Sequence, residues 1–218
     1  MLKAVIFDVD GVLVDSKNAN VALFQAILER AGYPAPSREQ ILEHFHLPLW
    51  QSLEKLIQTA NQKEVERVWK LAHDPSLRNG DLLEFPEKLE HTLETLHKKY
   101  KLAIVTGRIK VGIEDIFSAK EIKHMFDVVV TFEDYKNPKP HPEPLYVALK
   151  KLGVKADEAI YIGDSDSDIE AAKAAGMRSI HLSHATHNHA TVGVTDFNQL
   201  LEAVDNLAKL PIPGSGSS

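Results

Sequence analysis

Five short apolar runs, separated by segments of helical periodicity, constrain the fold of this chain more than any other feature of its sequence. The runs cover residues 3–7, 102–105, 128–132, 159–162 and 179–182, and the helical segments cover residues 87–99, 111–119, 143–152, 166–175 and 197–208. Strands that alternate with helices of this length need crossover connections, which give a parallel sheet covered by helices on both faces. The sequence therefore predicts an α/β fold with a doubly wound, Rossmann-like parallel sheet.

The connection between the first and second strands is too long for a single crossover helix. Residues 18–83 contain four further helical segments, and several prolines separate them. We therefore expect an α/β core domain formed by residues 1–15 and 82–210, and an inserted helical cap domain formed by residues 16–81 that acts as a lid. Residues 211–218 are rich in glycine and serine and are predicted to form a flexible tail.

The overall charge excludes some classes of partner. With 44% hydrophobic residues and a net charge of -6, the chain has the composition of a globular protein without a basic field for nucleic acid or an anionic membrane. There is no cysteine, no run of about 18 apolar residues and no secretory signal in residues 1–14, so we expect a cytoplasmic protein. We expect a monomer or a weak homodimer.

Polar residues follow three of the predicted strands. In open parallel sheets, ligands bind outside the carboxyl ends of the strands, so groups that are distant in the sequence converge there. The three polar segments are Asp8-Val9-Asp10-Gly11, Thr106-Gly107-Arg108 and Gly163-Asp164-Ser165-Asp166-Ser167-Asp168.

These segments contain the groups needed for phosphoryl transfer. Clustered carboxylates repel one another and need a cation nearby, and a set of carboxylate oxygens suits Mg²⁺. Lys139 lies in a proline-rich segment, residues 137–144, which holds its ammonium group in place. Together with Thr106 and the backbone amides after Asp8 and Thr106, Lys139 would bind an anion opposite the metal, and a carboxylate can serve as the nucleophile.

The chain resembles the haloacid dehalogenase superfamily of aspartate-dependent phosphohydrolases from end to end. The four motifs of that superfamily occur in order, as Asp8-Val9-Asp10-Gly11, Thr106-Gly107, Lys139-Pro140 and the segment from Gly163 to Asp168. The helical insertion after the first motif resembles the C1 cap. Residues 168–177 are similar to the phosphoglycolate phosphatase and β-phosphoglucomutase branch.

This resemblance implies a role for each motif residue. Asp8 would attack phosphorus and form an aspartyl-phosphate, and Asp10 would protonate the leaving oxygen and then activate water. Mg²⁺ would be held by the Asp8 and Asp164 carboxylates and the Asp10 carbonyl, with support from Asp168. The residues that would hold the phosphoryl oxygens are Thr106, Gly107 and Lys139.

Two residues are possible determinants of substrate specificity. Many relatives have Gly-Leu-Pro in the cap where this chain has His46-Leu47-Pro48, so His46 is a possible specificity residue. Arg108 is a second one, with a surface role as the alternative. The histidine tract from His181 to His189 is interpreted either as a polar loop or as a zinc site.

The predicted function is that of an Mg²⁺-dependent phosphatase acting on a small phosphorylated metabolite of the phosphoglycolate or sugar-phosphate type. The alternatives are a phosphomutase of the β-phosphoglucomutase type, a pyrophosphatase, and a non-catalytic binding or regulatory protein. The last alternative predicts an eroded motif, whereas Asp8, Asp10, Lys139 and Asp164 are all present.

Overall fold

A six-stranded parallel sheet forms within the part of the chain that the computed structural model describes, residues 1–45, 47–183 and 189–210. The strand order is β3-β2-β1-β4-β5-β6, and every pair of neighbours is parallel, which confirms the predicted doubly wound α/β fold. The strands are β1 Ala4–Phe7, β2 Lys101–Val105, β3 Val128–Val130, β4 Ala159–Gly163, β5 Arg178–Leu182 and β6 Val192–Val194.

The same residues form nine α-helices and several short 3-10 turns. No helix in the described ranges combines the length and apolar character needed to cross a bilayer. The helices are α1 Lys17–Ala31, α2 Arg38–Glu43, α3 Leu49–Ile57, α4 Gln62–Leu71, α5 Leu89–His97, α6 Lys110–Ala119, α7 Glu143–Leu152, α8 Asp166–Ala174 and α9 Leu200–Lys209.

The chain divides into two compact units. The first contains Met1–Val14, Phe85–Thr106 and the chain from Ile122 onward, and the second contains Asp15–Glu84 and Gly107–Glu121. The second unit therefore holds α6 as well as the inserted helices α1 to α4. The interpretation of residues 16–81 as a cap stays a prediction, and the predicted tail, residues 211–218, lies outside the described residues.

The core of the first unit lies on the sheet. Strands β1, β2 and β4 are buried along almost their whole length, as expected for a parallel sheet with helices on both faces. On one face, Ala4, Ile6 and Tyr161 belong to a core cluster with Leu145 and Leu149 of α7. Burying one such leucine contributes roughly 1.5–3 kcal/mol relative to exposure, so this cluster holds the strand ends in fixed positions.

Two strands differ from the sequence prediction for local reasons. β3 ends at Val130 rather than at residue 132, because Thr131 starts a 3-10 turn in which its backbone N–H donates to Asp134 Oδ2 at 2.9 Å. β6 was not predicted. It has three residues, one of them the exposed Gly193, which is too short a run to give a clear alternation of apolar and polar residues.

The second unit is held together by α6 and the turn that follows α4. Arg78, with a side chain 7% exposed, donates from Nη1 to Asp115 Oδ2 at 2.8 Å and from Nη2 to the Ala72 carbonyl at 2.5 Å. The first bond connects the segment between the two 3-10 turns to α6, and the second connects it to the C-terminal end of α4. Trp50 and Trp69 pack edge to face with ring centroids 6.0 Å apart.

Candidate active site

The candidate site lies where the order of the strands reverses. β1 and β4 are neighbours in the sheet, but the chain runs outward from β1 to β2 on one side and from β4 to β5 on the other. Asp8 follows β1 and Asp164 follows β4, and the Asp8 N–H donates to the Ile162 carbonyl at 2.8 Å. Carboxylates that are far apart in the sequence are therefore brought to a single crevice, as expected for a doubly wound sheet.

Three of the predicted carboxylates cluster there. One oxygen from each of Asp8, Asp164 and Asp168 lies within 4.8 Å of the other two. Asp8 is 6% exposed, Asp168 is 1% exposed and Asp164 is half-buried. A buried cluster of like charges requires a cation or a basic side chain.

Lys139 supplies a positive charge to this cluster. Its Nζ donates to Asp8 Oδ1 at 2.8 Å, to Asp168 Oδ1 at 2.5 Å and to the Tyr161 hydroxyl at 2.9 Å. An ammonium group has three donors, so these contacts use all of them. Phosphate binding by Lys139 stays a prediction, and the structure shows Lys139 in contact with two of the carboxylates.

Asp168 accepts four hydrogen bonds, two on each oxygen. Oδ1 accepts from Lys139 and from the Tyr161 hydroxyl at 2.8 Å, and Oδ2 accepts from the Ser165 hydroxyl at 2.6 Å and the Ser165 N–H at 3.2 Å. An ionised carboxylate has about four lone-pair positions, so its accepting capacity is used. Its contacts therefore fit a residue that holds Lys139 better than a direct metal ligand.

The segment that carries Lys139 is fixed by a residue that sequence reasoning missed. The Glu143 carboxylate accepts from the backbone N–H groups of Lys136 and Asn137, both at 3.0 Å, and from the Asn137 side chain at 2.7 Å. Glu143 is the first residue of α7, where a carboxylate is favoured by the helix dipole. An acidic residue at a helix start after a proline-rich loop is the signal that could have indicated this role.

Asp10 and Gly11 form a tight turn after β1. The Gly11 N–H donates to the Val14 carbonyl at 2.9 Å, and Gly11 has a positive φ of 77°. A Cβ at Gly11 would lie 1.9 Å from Asp164 Oδ2, which is shorter than any non-bonded contact. Glycine is therefore required at this position for two reasons, the backbone conformation and the approach of the Asp164 carboxylate.

Thr106 lies at the end of the neighbouring strand β2. It is 1% exposed, its N–H donates to the Val130 carbonyl at 3.1 Å, and its carbonyl accepts from the Tyr135 hydroxyl at 2.9 Å. Phe7 pairs with Ile104 in the parallel register, so Asp8 and Thr106 both follow the carboxyl ends of adjacent strands. Tyr135 was not predicted from the sequence, because no pattern links it to Thr106.

The remaining predicted residues belong to the second unit or lie outside the described residues. Gly107 and Arg108 belong to the second unit, where Arg108 Nη1 lies 3.5 Å from the Gly112 carbonyl. His46 lies outside the described residues, as do residues 184–188 of the histidine tract. At one end of that tract, His181 is buried in β5 and its Nε2 lies 3.0 Å from the Asp164 carbonyl oxygen.

The family of this chain follows from its sequence match. The profile described as haloacid dehalogenase-like hydrolase matches residues 5–182. The chain belongs to the haloacid dehalogenase-like hydrolases. The predicted resemblance and the prediction of a hydrolytic enzyme are both confirmed.

Individual relatives within this hydrolase family cover nearly the whole chain. Pyrophosphatase PpaX of Halalkalibacterium halodurans is 30% identical over 208 residues, which are 94% of this chain and 95% of the relative. A crystal structure of a subfamily IA hydrolase from Geobacter sulfurreducens has a TM-score of 0.74 and 29% identity, covering 93% of this chain and 100% of that chain. A Lactobacillus plantarum protein named as a candidate phosphoglycolate phosphatase has a TM-score of 0.79 and 25% identity, covering 93% and 99%.

Burial and neighbouring charges shift the pKa values of the carboxylates in the hydrolase site. Burial, followed by the charges of Asp168 and Asp10, raises the pKa of Asp164 from 3.8 to about 7. Burial also raises the pKa of Asp8 well above its ordinary value, although Lys139 opposes this shift. For Asp168, burial would raise the pKa, but the charge and hydrogen bond of Lys139 hold it below the ordinary value.

The residues present fit a hard cation. The haloacid dehalogenase-like hydrolases generally use Mg²⁺, and the cluster here consists of carboxylate oxygens, which that ion prefers. Burial and the neighbouring carboxylates raise the pKa of Asp8 and of Asp164, and a cation held between them would lower both pKa values. Asp8 and Asp164 are the carboxylates of this cluster that would hold Mg²⁺, and the contributions of the Asp10 carbonyl and of Asp168 stay predictions.

Replacing Gly11 with alanine is expected to weaken Mg²⁺ binding at least about tenfold, because the new methyl group would displace Asp164. Gly153→Ala is the matched control. Gly153 also has a positive φ, 68°, but no neighbouring atom of the described residues lies within 4 Å of the place its new methyl group would take. Both variants should lose about 1 kcal/mol from backbone strain, and calorimetric titration with Mg²⁺ should separate them. Equal Mg²⁺ affinity in the two variants would contradict the role assigned to Asp164.

Asp164→Asn is expected to stabilise the metal-free protein at pH 8 by on the order of 1 kcal/mol. The unfolded chain releases the Asp164 proton near pH 3.8 and the folded chain only near pH 7, so the wild type loses stability as the pH rises between these values. The gain should therefore be absent at pH 4. The difference in unfolding free energy between Asp164→Asn and the wild type is measured by urea unfolding in EDTA at pH 4 and at pH 8. Asp205→Asn, a substitution at an exposed residue, is the control. A wild type that gains stability relative to the variant between pH 4 and pH 8 would contradict the prediction.

Proposed function

We propose that this chain is an Mg²⁺-dependent phosphatase that hydrolyses a small phosphomonoester through an aspartyl-phosphate on Asp8. The observation that carries the proposal is the contact between Asp8 and Lys139, 2.8 Å apart and almost fully buried, at the point where the strand order reverses. A carboxylate held beside an ammonium group can act as a nucleophile toward a phosphoryl group whose oxygens the ammonium binds.

In the first half-reaction, a carboxylate oxygen of Asp8 forms a bond to phosphorus while the bond to the leaving oxygen breaks. Asp10 gives its proton to that oxygen, so the product leaves as an alcohol. Asp10 lies two residues after Asp8, on the turn that Gly11 closes, and its charge acts on both Asp8 and Asp164. This position supports its assignment as the acid.

In the second half-reaction, water attacks phosphorus and the bond to Asp8 breaks. Asp10, now ionised, takes a proton from the water. Lys139 binds phosphoryl oxygens in both halves, and we assign Thr106 and the Gly107 amide to the same task. Mg²⁺, when bound, supplies the charge that favours ionised Asp8 and Asp164 and that draws electron density from the phosphoryl oxygens.

A second candidate, pyrophosphate hydrolysis, is favoured by one observation. Relatives named pyrophosphatase PpaX match this chain over nearly its whole length, at 30% identity for the Halalkalibacterium halodurans protein. The same residues serve both reactions, because pyrophosphate offers a phosphate leaving group in place of an alcohol. We assign discrimination between these substrates to His46 and Arg108.

The test is release of inorganic phosphate from 2-phosphoglycolate, sugar phosphates, pyrophosphate and nucleotides, each with Mg²⁺ or with EDTA. We expect release only with Mg²⁺, and the preferred compound identifies the substrate class. Preference for pyrophosphate would support the second candidate, and turnover that depends on a sugar bisphosphate without net phosphate release would indicate a phosphomutase. Phosphate release that EDTA leaves unchanged would contradict the proposal.

A further inference from the structure

The Tyr161 hydroxyl forms hydrogen bonds with both Lys139 and Asp168 of the candidate site. It lies on β4, its side chain is fully buried, and in the sheet it pairs with Ile6. Its hydroxyl accepts from Lys139 Nζ at 2.9 Å and donates to Asp168 Oδ1 at 2.8 Å. Because Lys139 also donates to Asp168 Oδ1 at 2.5 Å, the three side chains form a closed triangle of hydrogen bonds.

This triangle determines where the Lys139 ammonium points. Two of its three N–H groups are taken by Tyr161 and Asp168, and the third donates to Asp8 Oδ1 at 2.8 Å. The phosphoryl group of the proposed reaction becomes attached to Asp8, so the third N–H is directed at the reacting group.

The direction of the Tyr161 hydroxyl is fixed as well. Its one proton has two acceptors within reach, Asp168 Oδ1 at 2.8 Å and the Val105 carbonyl at 3.5 Å. The shorter contact assigns the proton to Asp168, which leaves the oxygen lone pairs for Lys139. Asp168 is itself held by two bonds from Ser165, on the opposite carboxylate oxygen. Hydrogen bonds therefore run without interruption from Ser165 through Asp168 and Tyr161 to Lys139. The groups that they join are buried or half-buried, and hydrogen bonds between such groups are stronger than exposed ones.

We propose that Tyr161 is a positioning residue, which together with Asp168 fixes two N–H groups of Lys139 so that the third is directed at the phosphoryl group on Asp8. This inference rests on the proposed function for its catalytic consequence. The positioning itself is a property of the folded protein in the absence of substrate.

Tyr161→Phe is the direct test, because it removes the hydroxyl and keeps the ring in the core. We expect kcat to fall about 10-fold to 100-fold while KM changes less than about threefold. Tyr146→Phe is the matched control, since Tyr146 is 49% exposed and its hydroxyl donates to the Ala174 carbonyl at 3.3 Å, in α8 rather than in the carboxylate cluster. This control should leave kcat within about twofold of the wild type. A loss of stability in Tyr161→Phe with kcat per folded molecule unchanged would show a merely structural role and overturn the inference.

A second measurement does not depend on turnover. The ammonium protons of a buried, fully hydrogen-bonded lysine exchange slowly with water, so Lys139 should give a protected signal in a proton–nitrogen NMR spectrum tuned to lysine Nζ. Lys139→Met identifies the signal by its loss. We expect the signal to be present in the wild type and Tyr146→Phe, and lost in Tyr161→Phe.

These two measurements separate the inference from the proposed function. If the wild type releases phosphate from none of the substrates, the proposed function fails, and the NMR signal alone decides whether Tyr161 positions Lys139. Persistence of the protected signal in Tyr161→Phe would overturn the inference in either case.

Discussion

Asp8→Asn is expected to reduce Mg²⁺-dependent phosphate release at least about 10⁴-fold, because an amide cannot form the acyl-phosphate intermediate. The substitution changes the shape of the side chain very little. Its effect on folding should be small, since the burial that raises the pKa of Asp8 also makes its charge costly. The measurement is the initial rate of phosphate release with the substrate that the panel identifies as preferred.

Asp205→Asn is the matched control for this experiment. Asp205 also accepts from a lysine ammonium, that of Lys99 at 3.1 Å, but the pair is exposed and distant in sequence from the motifs. Its replacement should leave the rate unchanged. An Asp8→Asn variant that keeps more than a few per cent of the rate would exclude Asp8 as the nucleophile.

The proposed aspartyl-phosphate should accumulate when the second proton transfer is removed. With p-nitrophenyl phosphate, whose leaving group needs little protonation, Asp10→Asn should still form the phosphoenzyme but hydrolyse it slowly. Mass spectrometry of the acid-quenched protein should then show one added phosphoryl group on Asp8. No added mass under these conditions would argue against the two-step reaction.

Lys139→Met is expected to destabilise the protein by about 3–5 kcal/mol and to abolish measurable activity. It leaves Asp8 and Asp168, which are 6% and 1% exposed, without their shared cation. Urea unfolding measures the loss of stability. Lys151→Met is the control, because Lys151 pairs with Asp134 at the surface and the pair should contribute less than about 1 kcal/mol.

A double variant separates the charge effect from the loss of a binding group. Lys139→Met combined with Asp168→Asn removes one of the two unpaired carboxylates, so we expect it to recover part of the lost stability without recovering activity. If the double variant is less stable than Lys139→Met alone, the unpaired charge is not the cause of the destabilisation.

The sequence was sufficient to predict the features of this molecule that depend on hydrophobic periodicity and on which residues follow the strands. The alternation of apolar runs and helices predicted the parallel sheet, and the position of Asp8, Thr106 and Asp164 after strands predicted that they would meet at one edge. The predicted ends of strands were less accurate where side-chain hydrogen bonds determine the end. The hydrogen bonds between Thr131 and Asp134, which end β3, are an example.

The supporting residues of the site could not be predicted in the same way. Tyr161 looks like an ordinary buried strand residue, and its hydroxyl matters only because the fold brings Lys139 and Asp168 to it from other segments of the chain. Glu143 and Tyr135 likewise act through bonds to backbone groups, which leave no pattern in the residues they contact. Contacts between segments that are far apart in sequence depend on three-dimensional placement, and a single sequence does not encode them locally.

The start of α8 links the folding of the protein to the assembly of its site. The Ser165 hydroxyl and Asp168 form a capping box, in which each side chain bonds the backbone of the other. The same Asp168 carboxylate holds Lys139. Fraying at this helix terminus would therefore also remove one of the three acceptors of the Lys139 ammonium, so we expect the order of this end of α8 and the position of Lys139 to be coupled. We therefore expect the proposed phosphate-binding arrangement to form only in molecules in which the start of α8 is folded.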